Sequence, residues 1–153
     1  MMILFCVSCQ THNDEEKPAP TYLKGTKWKL VGMVDTSTGE LKELKPIDCE
    51  ECYTLTFDTD YTAAAYSVQT TLQLDLLNLN PDIMLTDLLW CEKYDKDGEY
   101  YCDSDYFRSA IIKPKSYSAT SDEFKLFSRT IISWKDCKST VYLLFKPIEL
   151  CYE

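Results

Sequence analysis

After Thr21, apolar and polar side chains alternate along most of the chain, with the period of two that is typical of strands with one buried face. Residues 26–35 show this most clearly, because one face carries Trp28, Leu30, Gly32 and Val34. The same alternation predicts further strands at residues 53–57, 61–69, 71–77, 116–120, 123–129, 131–134 and 140–146. Residues 83–89 fit either a strand or a short helix.

Turn-forming residues separate these segments at short intervals. Thr38-Gly39 and Ser121-Asp122 each fit a tight turn, and Pro81 interrupts the chain before residue 83. The best candidate for a helix is the segment 104–112. The pattern therefore predicts an all-β domain, an antiparallel up-and-down barrel or barrel-like sandwich of about eight strands.

The N-terminal segment has a different character. Residues 1–8 are mainly apolar and end in Ser8 before Cys9, which resembles a bacterial lipobox, where the cysteine after a small residue is diacylated. We interpret residues 1–8 as the remnant of a signal peptide and Cys9 as the lipidated residue. Residues 9–20 are polar and contain proline, so they predict a flexible tether, and residues 21–153 predict a single β-barrel domain. The alternative is a disordered cytosolic segment.

An acidic run follows the proposed lipidation site. Asp14, Glu15 and Glu16 resemble the surface-export signal of Bacteroides-type lipoproteins. The resemblance implies an outer-membrane location in a Gram-negative bacterium, with the chain held to the membrane by a lipid anchor and facing the cell surface.

Eight cysteines in 153 residues indicate disulfides and an oxidising compartment. The alternative, a structural zinc, is disfavoured because there is one Cys-x-x-Cys unit, Cys49 to Cys52, and one histidine, His12. Cys91 and Cys102 flank residues 95–98, which fit a hairpin loop, and directly opposed strand residues are close enough for a disulfide. We predict that pair, and leave the pairing of Cys49, Cys52, Cys137 and Cys151 open. For Cys49 and Cys52 a structural disulfide is favoured over a redox-active one.

Charge and residue types disfavour several functions. A net charge of −9 disfavours nucleic-acid binding, which needs clustered cations. With one histidine, in the tether, a nucleophile–His–acid triad is not expected. We therefore predict a protein that is not an enzyme and that has no cofactor and no metal site.

A family resemblance rests on several short motifs. Residues 23–31, with Gly25 before Trp28, look like the opening strand of lipocalin-like and META-like domains of bacterial lipoproteins. The match continues at residues 53–58, 116–120, 124–127 and 142–146, over about half of the domain. The resemblance implies a barrel fold and brings no catalytic residues with it.

The predicted function is binding. Large amphipathic aromatic side chains are enriched at interfaces, and one group of them forms a candidate binding surface: Trp90, Tyr94, Tyr100, Tyr101, Tyr106 and Phe107. The alternative is that these rings pack against the domain itself. We expect a non-catalytic lipoprotein that binds a small hydrophobic molecule or a glycan. A protein-interaction or scaffold lipoprotein with a filled barrel, bound to another envelope protein, is the alternative.

Overall fold

The structure is a computed structural model that describes residues 23–58, 62–68, 70–80, 83–92, 99–112, 114–134 and 137–149. Within these ranges the backbone alone is described at residues 76–80, 83–92, 101, 130, 132–134, 137 and 138.

The described residues form nine strands and one helix. In chain order these elements are β1 (Lys27–Asp35), β2 (Leu41–Lys42), β3 (Thr54–Phe57), β4 (Thr62–Tyr66), β5 (Thr71–Asn80), β6 (Ile83–Glu92), α1 (Tyr101–Ile112), β7 (Pro114–Ala119), β8 (Phe124–Trp134) and β9 (Cys137–Pro147).

All of the strand pairs are antiparallel and belong to one sheet with the order β6-β5-β4-β3-β1-β9-β8-β7, and the short β2 pairs with β1. Strands β3 to β6 extend the sheet on one side of β1, and β9, β8 and β7 extend it on the other. The terminal strands β6 and β7 come within 8 Å of each other between Cα atoms, so the sheet is curled into a half-barrel. The prediction of an all-β, up-and-down, barrel-like fold is confirmed.

The entry into β1 is fixed by a turn. The backbone N–H of Gly25, which has a φ of 75°, donates to the carbonyl of Phe57 at 2.7 Å. The indole N–H of Trp28 donates to the hydroxyl of Thr26 at 2.8 Å, and that hydroxyl donates to the carbonyl of Leu23. These bonds satisfy the polar atom of a tryptophan whose ring is otherwise buried in the core.

The four residues of the predicted face of β1 are all buried, but only Trp28 and Leu30 among them belong to the core cluster. Trp28 and Leu30 are buried as expected, but the pairing with β9 shifts register between Leu30 and Gly32. After this irregularity Met33 is fully buried and joins the core cluster. A β-bulge inserts one residue and so exchanges the two faces of a strand, which simple alternation does not foresee.

Other predicted boundaries differ in small ways. Residues 83–89, ambiguous in the sequence, belong to strand β6, and the two predicted strands at 123–129 and 131–134 are one strand, β8. The predicted turn at Ser121-Asp122 is confirmed, since Thr120 donates its N–H to the carbonyl of Glu123 at 2.8 Å.

The helix α1 connects the two ends of the curled sheet and packs against β6, β8 and β9. Phe107, Ala110 and Ile111 are fully buried. Their spacing of three and four residues places them on one helix face. The helix therefore lies on the concave side of the sheet and closes the core.

Candidate functional site

A curled sheet of about eight strands can either fill its interior with side chains or hold one small ligand there. Phe124 lies at the centre of this interior, with ring centroids 5.5 Å from Trp28, 5.6 Å from Phe57, 5.9 Å from Tyr117 and 5.8 Å from Phe145. All five side chains are at most 3% exposed. Rings at these distances are in direct contact. In the part of the chain that the structure describes, the centre of the interior is occupied by side chains.

The predicted binding surface contained a residue that belongs to this core. Phe107 is fully buried, with its ring centroid 5.2 Å from that of Tyr53 and 6.5 Å from that of Phe145. The assignment of Phe107 to a surface is wrong, because α1 turns this residue towards the sheet. The helical periodicity of residues 107, 110 and 111 was the signal that could have shown it.

Of the other members of that predicted surface, the two whose side chains the structure describes are both half-buried. Tyr100 is half-buried, and Tyr106 is half-buried beneath the ammonium group of Lys42, 4.6 Å from its ring centroid. The remaining members lie outside the described side chains: Trp90, Tyr94 and Tyr101.

Cys49 and Cys52 form a disulfide, with 5.4 Å between their Cα atoms. The ammonium group of Lys29 donates to the carbonyl oxygens of both cysteines, and burial lowers the pKa of Lys29. The following residue, Tyr53, has a φ of 55° and is 2% exposed. A left-handed backbone conformation is costly for a bulky side chain such as that of Tyr53. The disulfide and the ammonium group of Lys29 stabilise the turn in which it occurs. This arrangement fits a structural disulfide.

The predicted pair Cys91–Cys102 depended on a return strand that contains Cys102, and the structure has a helix at that residue. Cys91 lies in β6 opposite Leu72 of β5, whereas Cys102 lies in the first turn of α1. The thiol of Cys102 is free and exposed, so it forms no bond with Cys91 in this structure. The helix that starts at Tyr101 takes the place of the expected return strand. Cys9, Cys151 and the side chain of Cys137 lie outside the described set.

A groove of about 340 Å³ opens on the surface of β7, β8 and β9. We call it the bulge groove. It is lined by Thr36, Lys115, Ser116, Phe127, Ser128, Arg129, Thr140 and Val141. The hydroxyl groups of Thr36 and Thr140 are 2.6 Å apart, and that of Thr36 also lies 2.9 Å from the carbonyl oxygen of Thr140.

Two irregularities of the sheet meet at this groove. The pairing of β7 with β8 shifts between Pro114 and Ser116, which leaves Lys115 as the additional residue. The pairing of β8 with β9 shifts between Phe127 and Ile131, a segment that contains Arg129. Because a β-bulge redirects side chains and is common beside functional sites, the irregularities account for the presence of both cations at one groove.

The ring of Phe127 forms one wall of the bulge groove. It packs against Tyr142 of the neighbouring strand, with 5.2 Å between the ring centroids. Phe127 is half-buried, whereas Leu126 before it and Ser128 after it are buried. The ring therefore lies on the outer face of β8, held in place by its neighbour and partly open to solvent.

A second groove, of about 330 Å³, lies on the surface of β1, β3, β4 and β5. We call it the threonine groove. It is lined by Lys27, Glu51, Thr54, Thr56, Ala64, Ala65, Tyr66 and Thr71. The charges of Lys27 and Glu51 compensate each other. The threonine groove therefore differs from the bulge groove in charge, although the two grooves have nearly the same volume.

Sequence reasoning did not identify the bulge groove. The alternation in residues 124–129 does place Lys125, Phe127 and Arg129 on one face of a strand. The two register shifts, which bring Lys115 and Arg129 to the same groove, have no sequence signal of comparable strength.

Among the side chains that the structure describes, no three His, Cys, Asp or Glu residues are grouped as a metal site would require. The helix α1, with 12 residues, is too short and too polar to cross a membrane.

The fold and the groove define a class: a filled, curled β-sheet domain with a candidate binding groove on its surface. No family model matches the chain. Over 120 residues it is 29% identical to a protein of Tannerella forsythia described as "Putative lipoprotein", a match that covers 78% of this chain and 75% of that protein. The fold resembles the crystal structure of a DUF4847 family protein from Bacteroides vulgatus, with a TM-score of 0.57 and 14% sequence identity over 82% of this chain and 93% of that one. The predicted resemblance to lipoproteins of Bacteroides-type bacteria is confirmed at this level, and the lipocalin-like or META-like subtype stays a prediction.

Proposed function

We propose that the protein is a lipid-anchored, non-catalytic binding module of the cell envelope, which binds a glycan on the surface of its sheet rather than inside it. The observation that carries the proposal is the combination of a filled interior with the bulge groove. Small-ligand sites are concave and typically have volumes of about 300–1,000 Å³, a range that includes this groove.

Two features support the lipid anchor. Ser8-Cys9 has the order of a small residue and a cysteine that lipidation requires, and the similar Tannerella protein bears a lipoprotein description. The acidic run at residues 14–16 supports a surface-facing position on the outer membrane. Mass spectrometry of the protein from envelope fractions should find a diacylated Cys9, and an unmodified Cys9 in that material would contradict the anchor.

The chemistry of the bulge groove suits a saccharide. Hydroxyl groups of Thr36, Ser116 and Thr140 line it. Those of Thr36 and Thr140 are bonded to each other and can still accept from sugar hydroxyls, and that of Ser116 can both donate and accept. The ring of Phe127 offers a negative face to the weakly positive C–H groups of a sugar ring. We also propose that the domain is of the lipocalin-like or META-like subtype. In this case the ligand binds to the surface of the sheet, because Trp28 and the surrounding rings fill the interior.

A glycan array probed with the full chain in detergent tests this function. We expect retention of a subset of oligosaccharides, and a loss of about tenfold or more in affinity on F127A, because aromatic anchors dominate binding sites. The matched control is T56A, a lining residue of the threonine groove, which should bind as the unchanged protein does. A second variant, F127L, removes the ring but keeps an apolar side chain next to Tyr142. It therefore tests the ring in a variant that is expected to fold. Folded protein that retains no saccharide would contradict the proposal.

A protein partner is the second candidate. It is favoured by the filled interior and by Ile131, which is 61% exposed and pairs with Thr140 at the end of the bulge groove. Crosslinking in intact envelopes followed by mass spectrometry should then recover one protein bound near Ile131, and I131D should abolish that crosslink.

A further inference from the structure

The bulge groove is cationic in a protein that is otherwise acidic. The chain carries a net charge of −9, yet the groove is lined by Lys115 and Arg129 and by no acidic residue. A local excess of positive charge in a concave site raises the concentration of anions there.

The two cations have no acidic partner in the part of the chain that the structure describes. The neighbouring cations of the same sheet region differ in this respect, since Lys125 and Lys146 both contact the carboxylate of Glu123, at 2.8 and 3.5 Å. Both Lys115 and Arg129 are exposed, so their donors are accessible to a molecule in the groove.

From these observations we infer that the bulge groove binds an acidic oligosaccharide. In this complex, carboxylate groups of the sugar pair with Lys115 and Arg129, and a neighbouring sugar ring lies against Phe127. The inference rests on the proposed function and specifies its ligand class. The charge pairs would be charge-assisted hydrogen bonds, which an arginine can form in bidentate geometry.

The groove is less suited to other acidic ligands. A peptide that adds a strand needs a free edge, but β8 and β9 are paired on both sides and the outer edge of the terminal strand β7 lies against β6. A long polyanion such as a nucleic acid would approach a strongly acidic molecule with only two groove cations to neutralise it. A short saccharide can use the two cations, the hydroxyl groups and the ring together.

The test is calorimetric titration of the full chain in detergent with a tetrasaccharide of galacturonic acid and with its methyl ester. The two probes share the same sugar rings and differ in charge. We expect the acid to bind at least tenfold more tightly than the ester, and its affinity to fall as salt is raised from about 50 to 200 mM. The double variant K115Q/R129Q should lose about tenfold in affinity for the acid for each cation removed, which brings the affinities for the acid and the ester close together.

The matched control is K27Q, which removes a cation from the threonine groove and should leave the titration unchanged. Equal binding of acid and ester, unaffected by K115Q/R129Q, would overturn the acidic specificity and leave the proposed function standing. Absence of binding to both probes and to the whole glycan array would overturn both proposals. Binding of a glutamate tetrapeptide as tight as that of the uronate would overturn the saccharide class in favour of an acidic peptide.

Discussion

Gly32 is a position at which β1 and β2 approach each other too closely for a side chain. A Cβ atom added there would lie 2.6 Å from the carbonyl oxygen of Lys42 and 3.1 Å from Cγ of Leu41. The first of these neighbours is backbone, held by the pairing of β1 with β2, so it cannot move without disturbing the sheet. Gly25 is different, because it has open space around it but a φ of 75°.

These two glycines give a paired prediction. G32A should lower the free energy of unfolding by about 1–3 kcal/mol through steric overlap, whereas G25A should lower it by roughly 1–2 kcal/mol through backbone strain. Asparagine tolerates the left-handed region, so G25N should recover part of the loss, and G32N should not. Urea denaturation of the four variants checks this. A recovery at both positions would contradict the steric account of Gly32.

Asp35 makes stability depend on pH. The hydroxyl of Ser139, the hydroxyl and N–H of Ser37 and the N–H of Thr38 donate to its carboxylate and hold the pKa of Asp35 well below its usual range. In the unfolded chain this carboxyl group has a pKa of about 3.9. Its stabilising contribution is therefore fully present above that value and is lost as the pH falls towards the folded pKa.

The variant D35N keeps an acceptor oxygen but does not titrate. The difference in urea midpoint between the unchanged protein and D35N should be largest near neutral pH and should shrink below a pH of about 4. A difference that stays constant between neutral and acidic pH would show that the carboxylate charge has no role.

At the scale of elements, the sequence predicted the strands better than their register. The period of two located β3, β4 and β8 because each has one buried face, with Leu55, Ala63 and Leu126 directed into the core. It did not locate the register shifts beside Gly32, Lys115 and Arg129, because a bulge depends on the partner strand as well as on its own residues. The candidate groove, which is built on two of these shifts, was therefore not predictable from one sequence.

The aromatic cluster around α1 illustrates the same limit. Tyr and Phe residues close together in sequence fit either a surface or a core, and the choice depends on where the helix packs. Phe107 is in the core because α1 covers the concave side of the sheet, and Tyr106 is next to it at the rim.

The loop before β3 depends on its disulfide, and this gives a second pair of variants. Replacing Cys49 and Cys52 together by serine should lower the free energy of unfolding by about 2 kcal/mol, the value that the chain-entropy model gives for a short closed loop. C102S should change it by less than about 0.5 kcal/mol, because that thiol is exposed and free. Thermal or urea unfolding measures both. A larger effect of C102S than of the double variant would contradict the assignment of the bonded pair.

For the whole molecule, the filled interior predicts how the protein treats apolar probes. A fluorescent fatty acid should not be taken up by the native protein, because the rings around Phe124 occupy the centre of the half-barrel. An open barrel of the lipocalin type is the positive control. Fluorescence titration checks this, and saturable uptake at a one-to-one ratio would show that the interior opens.

The position of β1 between β3 and β9 also governs when the chain can fold. The ribosome releases β1 (Lys27–Asp35) early in synthesis. One edge of this strand stays unpaired until β9 (Cys137–Pro147) has been synthesised. Pairs such as Trp28 with Pro147 and Leu30 with Phe145 join segments that are more than 100 residues apart in the chain. A nascent chain that has not reached Cys137–Pro147 lacks the pairing of β1 with β9, so the sheet can be completed only late in synthesis.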